Sequence, residues 1–427
     1  MKYFSIISLS FFFTLLSGCE VFDFTDEEDA PDVLERRDLP RELEPTEEHI
    51  VHGAGKFGFD LFHELIGQSA AENHFISPLS IIMAYGMTMN GAEGDTYDQM
   101  AEVFGLEEMD RDEINSAALG LIELLTDFDE DVQFNIANSI WYRDTFDVES
   151  DFLDTNEHYF DATIEPADFD DPETVAIINQ WVEEQTEGLI DKIVEDPIDD
   201  LTMMYLINAI YFNGDWSVAF DPDDTTPMPF HFADGSEADV DMMRLLDEEG
   251  TYFTQGEDYQ AVKLYYGDAG FAMTLVLPDE DTDVNTWVQE IDWSKWTDLT
   301  QGFHSVTIDL DLPKFEVEYE VEQFGEILQD LGIVDAFDWE LSDFSRINPA
   351  QEDLHISDTR HKSFVNVDEE GTEAAAVTSV ELSVTSANPP EPEHVSIRFD
   401  RPFFYMIHEV ESNTPLFMGT MNDPQAE

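Results

Sequence analysis

Apolar residues recur along this chain at two spacings, and each spacing predicts a different element. In "HIVHGAGKFGFDLFHELIG", residues 49 to 67, Phe57, Leu61, Phe62 and Leu65 fall three and four apart and predict a first helix. "SPLSIIMAYGMTMNGAEGDTYDQMAEVFG" predicts two more, separated at Gly91 and Gly94. Alternation takes over in "VQFNIANSIWYRD", helical period returns in "ETVAIINQWVEEQTEGLI", and "LTMMYLINAIYFNGDW" reads as a long apolar strand. Further strand patterns are "AVKLYYG", "FAMTLVLP", "VTIDLDLPKFEVEYE", "HVSIRF" and "FFYMIHEV". Helices dominate the first half and strands the second, which predicts an α+β fold with large antiparallel sheets. No internal repeat is visible.

One segment has an unusual pattern. "EEGTEAAAVTSVELSVTS", residues 369 to 386, has no aromatic, proline, Lys or Arg. In an extended chain Thr372, Ala374, Ala376, Thr378, Val380, Leu382 and Val384 share one face, while Glu373, Ser379, Glu381, Ser383 and Thr385 share the other. One face suits burial and the other suits water.

The chain has 427 residues and is 42% hydrophobic, enough for a large core. Residues 1 to 18 run from Lys2 through an apolar stretch to small residues, the pattern of a secretory signal peptide. Leu16-Ser17-Gly18-Cys19 resembles the lipobox of bacterial lipoproteins, which implies a lipidated Cys19 at the mature N-terminus. Export across the inner membrane and a lipid anchor at the cell envelope are therefore expected. Cys19 is the only cysteine, so no disulfide forms within one chain. Residues 19 to 47 are acidic and proline-punctuated and read as a tether, leaving 48 to 427 as the folded domain.

With 98 Asp and Glu against 17 Lys and Arg, the formal charge is −81. The excess is spread over the whole chain, as in a halophile's solvated surface, and self-repulsion then opposes folding unless salt screens it. Nucleic acid is excluded as a partner, because no basic stripe exists to meet phosphate.

The search for catalytic chemistry finds little. His63-Glu64 begins like a zincin helix, but the second histidine would fall at Gly67. "DEDTDVNTWVQE" puts Asp279, Asp281, Asp283 and Glu290 at calcium-loop positions, yet Val284 stands where that loop needs glycine, so it reads as a turn entering a helix. No G-x-S-x-G elbow, phosphate-cradling loop or Cys/His metal spacing is present, so no cofactor, metal or catalytic residue is expected.

Six stretches, in order, resemble the serpin family: "NHFISPLSIIMAYGMTMNGAEGDTYDQM", "LINAIYFNGDW", "DLPKFEVE", "LGIVDAFDWELSDFSRI", "HKSFVNVDEEGTEAAA" and "FDRPFFYMIHEVESNTPLFMGTMNDP". The resemblance implies an α+β fold of about nine helices around three β-sheets with an exposed reactive-centre loop. It also implies a mechanism. A target serine protease attacks the loop and forms a covalent acyl complex, and the cleaved loop inserts into the main sheet as a new strand. The alternating pattern fits a segment that must be soluble outside the sheet and packable within it.

Matched residue by residue, the hinge is Glu369, Glu370, Gly371, Thr372, Glu373, Ala374, Ala375, Ala376 and Val377. The family's usual count from Glu369 puts the scissile bond at Thr385-Ser386, with Val384 and Leu382 as alternatives because "ANPPEPE" lengthens the loop. All three point to elastase-, subtilisin- or chymotrypsin-like proteases, since none offers the cation a trypsin pocket needs. Lys314 and Glu369 match a salt-bridging pair beside Trp216 where the loop joins the sheet. Ser77, Ser80, Asn208 and His361 match a polar cluster over which strands slide apart. Small hinge residues favour an inhibitor, expected to act as a monomer; the alternative is a non-inhibitory serpin serving as a surface binding or scaffold protein.

Overall fold

The computed structural model describes residues 37–126, 128–129, 131–372 and 393–426. In chain order the first elements are α1 (Pro45–Gln68), β1 (His74–Ile76), α2 (Pro78–Met89), α3 (Gly94–Val103), α4 (Arg111–Leu125), β2 (Val132–Arg143), α5 (Ser150–Phe160), β3 (Thr163–Ala167), α6 (Pro172–Gln185) and β4 (Met204–Asp215). The strand-rich half follows: β5 (Thr226–His231), β6 (Glu237–Gln255), β7 (Tyr259–Tyr266), β8 (Phe271–Pro278), α7 (Val284–Glu290), α8 (Trp293–Thr300), β9 (His304–Pro313), β10 (Phe315–Glu320) and α9 (Phe324–Leu331). The last strands are β11 (Lys362–Val367), β12 (Gly371–Thr372), β13 (His394–Arg398), β14 (Phe403–Glu409) and β15 (Pro415–Met421). The fold is α+β, with nine α-helices and three sheets among the described residues.

The largest sheet has nine strands, in the order β1-β15-β14-β8-β7-β6-β9-β13, with β5 also paired to β6. Its middle strands β8, β14 and β15 are buried along their whole length, which is why they read as continuous apolar runs and not as alternation. Phe404 of β14 packs against Phe59 and Phe62 of α1, Trp287 of α7 and Trp296 of α8. On the other face Tyr405 meets Phe75 and Phe315, and Phe271 meets Phe212 of β4. Pairing is antiparallel except for β13 with β9 and β2 with β3, which are parallel.

The folded unit begins earlier than the sequence suggests. Pro45 occupies the first turn of α1, and a reciprocal capping box joins Glu44 and Glu47. Buried Glu47 also takes a bidentate pair from Arg41, at 2.6 and 2.7 Å. Leu39 is buried, its N–H donates to Glu411, and the Arg37 guanidinium pairs with Asp268 at 2.9 Å. Residues 37 to 47, expected to belong to the tether, are thus held by specific contacts that the proline and charge content of this stretch does not announce. Asp283 caps α7 by accepting from the N–H groups of Asn285 and Thr286, the helix-entering turn expected there. Among the described residues no helix is long and apolar enough to cross a membrane.

Candidate functional site: the hinge and the open edge of a sheet

Strands β3, β2 and β4 form one sheet that ends at β4, and the antiparallel pair β10-β11 forms a separate two-stranded sheet. The short strand β12 stands between them. It follows β11 through a turn in which Asp368 accepts from Glu370 and Gly371, and it pairs antiparallel with the end of β4, Gly371 opposite Asp215 and Thr372 opposite Gly214. A Cβ at Gly371 would lie 2.2 Å from the Gly214 carbonyl oxygen, so only glycine permits this approach. Beyond that pair, the β4 edge from Met204 to Asn213 and the matching edge of β11 have no strand ladder among the described residues.

Thr372 is 4% exposed. Its hydroxyl lies 2.8 Å from that of Tyr266, a fully buried ring stacked on Trp216 at 4.3 Å. Burial pushes the Tyr266 phenol up, which keeps it a neutral hydrogen-bonding group. Trp216 in turn holds the turn before β12: its backbone N–H donates to Glu370 and its indole N–H to Asp368. The even-numbered face of β12 therefore points into the main core, the face on which β4 places Phe212.

Glu369, just before this strand, accepts from Lys314 Nζ at 2.6 Å and from Thr225 at 2.7 Å, and its carbonyl accepts from Phe220 N–H. Burial works to raise its carboxyl, but the Lys314 and Thr225 hydrogen bonds outweigh that and hold it below the usual range. Lys314 joins β9 to β10, so this pair ties the root of the loop to both neighbouring sheets.

The second predicted group is also brought together. Ser77 caps α2, accepting from Ser80 N–H, and donates its hydroxyl to Leu416. Its own N–H donates to His361 Nε2 at 3.0 Å, and Ser80 Oγ donates to Asn208 at 2.5 Å. Asn208 donates to Asn138 of β2, which donates to the Phe160 carbonyl. Burial pulls His361 down to about 4, so it is a neutral acceptor. This chain of hydrogen bonds joins α2, β4, β2 and the residue before β11, and so links the two strands, β4 and β11, that carry the open edges.

Glu373, Ala374, Ala375, Ala376 and Val377, the candidate bonds at Leu382, Val384, Thr385 and Ser386, and Cys19 lie outside the described residues. Sequence reading missed Tyr266 and Asn138, whose partners are set by strand register, and Thr225, which stands in the turn just before β5. The alternation that places Tyr266 inward gives no hint of its partner.

A family profile described as Serpin (serine protease inhibitor) matches residues 52–424. Antithrombin-III of Mus musculus is 34% identical over 363 residues, 83% of this chain and 77% of that protein. Among solved structures, native tengpin, a thermophilic serpin, is 31% identical with a TM-score of 0.79, covering 92% of this chain and 99% of that one. Human thyroxine-binding globulin, solved as a complex with thyroxine, is 26% identical with a TM-score of 0.78, covering 89% of this chain and all of that one. Profile, relatives and fold agree: this chain belongs to the serpin family.

Proposed function

We propose that the chain is an inhibitory serpin, a suicide substrate for elastase-, subtilisin- or chymotrypsin-like serine proteases, held at the cell envelope by lipid on Cys19. The observation that carries this reading is the seating of Thr372. The first inward residue of the hinge already occupies a strand position, and continuation in the same register sets Ala374 opposite Phe212, Thr378 opposite Asn208 and Leu382 opposite Met204. The open β4 edge thus has room for the hinge and most of the loop, whose inward positions are small or apolar. The reactive bond is Thr385-Ser386, with Val384 and Leu382 as alternatives.

A second reading, a non-inhibitory binding protein, draws on the likeness to thyroxine-binding globulin, whose fold matches nearly as well. Nicking the loop with a trace of protease separates them. Ten new strand residues at about 1 kcal/mol per hydrogen bond, divided by an unfolding entropy of roughly 0.8 kcal/mol/K for a domain this size, raise Tm by about 10 °C or more. An unchanged Tm in the nicked protein selects the binding protein. For the anchor, Cys19→Ser should move the chain from the membrane fraction to the soluble one; retention in the membrane would exclude lipid on Cys19.

A further inference from the structure

Strand β13 is the chain's return from the reactive loop, and among the described residues it is the last strand of the large sheet, paired only to β9. Parallel register places His394 opposite Thr307, Ser396 opposite Asp309 and Arg398 opposite Asp311, so these polar side chains line one face. Charge along this face is unevenly matched. Asp311 takes both Arg244 at 2.8 Å and Arg398 at 2.7 Å. Asp309 and Asp247 meet, among the described residues, no arginine or lysine but the imidazole of His394, at 3.1 Å from Nε2 and 3.8 Å from Nδ1 respectively.

One ligand atom from each of Asp247, Asp309 and His394 lies within 4.8 Å of the other two. Ligands about 2.0–2.2 Å from a tetrahedral zinc ion sit roughly 3.4 Å from one another, a spacing that small side-chain rotations here would reach. Asp247 stands where the β6 ladder to β9 shifts register, in the left-handed region at φ 53°, and its N–H donates to Asp309 Oδ1 at 2.9 Å. The Asp247 carboxylate thereby stands 3.8 Å from the His394 ring on β13. The geometry points to a divalent transition-metal site, with His394 and one oxygen each from Asp247 and Asp309 as ligands and water completing the shell. Imidazole in the set favours zinc-like ions over calcium or magnesium, which prefer all-oxygen shells. A bound ion would cancel two carboxylates that have no arginine or lysine partner among the described residues, and it would fasten the distal root of the reactive loop to β6 and β9.

The sequence offers no spacing signal for this site, because its ligands come from three strands brought together by register. The test is calorimetric titration of the chelator-treated full chain with zinc chloride in about 1 M KCl, where screening suppresses diffuse cation binding to the acidic surface. One site of micromolar affinity is expected, undisturbed by millimolar calcium. It should weaken at least tenfold in both His394→Ala and Asp247→Asn. The second variant sits at an exposed bulge and keeps a residue that tolerates left-handed backbone, so it reports on the site even if the first perturbs the strand. Zinc should also raise Tm in the wild type and in neither variant. Equal weak heats in all three proteins, or binding displaced by calcium, would overturn the assignment.

Discussion

Replacing Thr372 by arginine tests the seating of the hinge. In the structure this side chain is 4% exposed and shares a hydrogen bond with Tyr266. The substitution leaves the buried Tyr266 hydroxyl without its partner, at a cost of about 1–3 kcal/mol. It also forces a guanidinium against the Trp216-Tyr266 stack, where burial of an unpaired charge costs several kcal/mol. The long side chain recovers part of this by reaching past the sheet edge. A conservative total is roughly 3 kcal/mol against the inserted form, a factor of about 100 at 1.4 kcal/mol per tenfold. The uncleaved chain escapes this cost by releasing residue 372 from its two-residue strand β12 into solvent, a release the inserted form cannot make. Insertion then loses its race with hydrolysis, and the inhibitor becomes a substrate. The assay is the molar ratio of serpin to protease needed for full inhibition, which should rise at least tenfold. Thr372→Ser keeps the hydroxyl, and with it a partner for Tyr266, without adding charge, and should remain an inhibitor. Wild-type stoichiometry in the arginine variant would refute the reasoning, as would a serine variant that fails equally.

Acid and salt should each shift stability in a direction set by the structure. Burial holds His361 and His74 down to about 4 and His408 to about 3. The unfolded chain takes these protons near pH 6.5 while the folded chain does not, so their contribution is complete above pH 6.5 and is lost as pH falls toward 4. At pH 5.5 the loss is about 1.4 kcal/mol per histidine, roughly 4 kcal/mol for three, measurable as a drop in denaturation midpoint from pH 7.5; a flat profile would contradict the neutral assignment. Raising KCl from about 0.1 to 1 M shortens the Debye length from about 10 to 3 Å, and Tm should rise steeply in a chain of charge −81. No rise would separate the acidic composition from any salt requirement.

Much of the fold is legible in the sequence because helical period and alternation report burial directly, as in α1, α2 and β2. Strand β6 is not. Its 19 residues include "LLDEEG", pair with β9 and β5 over one part and with β7 over another, and alternate in burial only in patches. Helices α4 and α5 also pass unnamed, since acidic residues dilute their apolar stripes. At the site, Glu369, Lys314 and His361 are found through family resemblance, whereas Thr225 and Asn138 are ordinary polar residues until the fold sets them beside Glu369 and Asn208. Residues 37 to 47 are held to the fold by Arg41 reaching Glu47, six residues away, and Arg37 reaching Asp268, 231 residues away. Composition carries no trace of such pairings.

Whether the loop traps a protease is decided by mixing the full chain with subtilisin and with elastase in high salt, then resolving the products on denaturing gels and by mass spectrometry. An inhibitory serpin yields a covalent complex that survives denaturation, together with a small C-terminal peptide beginning at Ser386, or just after Val384 or Leu382. Clean cleavage of the loop with no complex and the protease fully active, across the whole range of salt, would contradict inhibition and leave the binding protein.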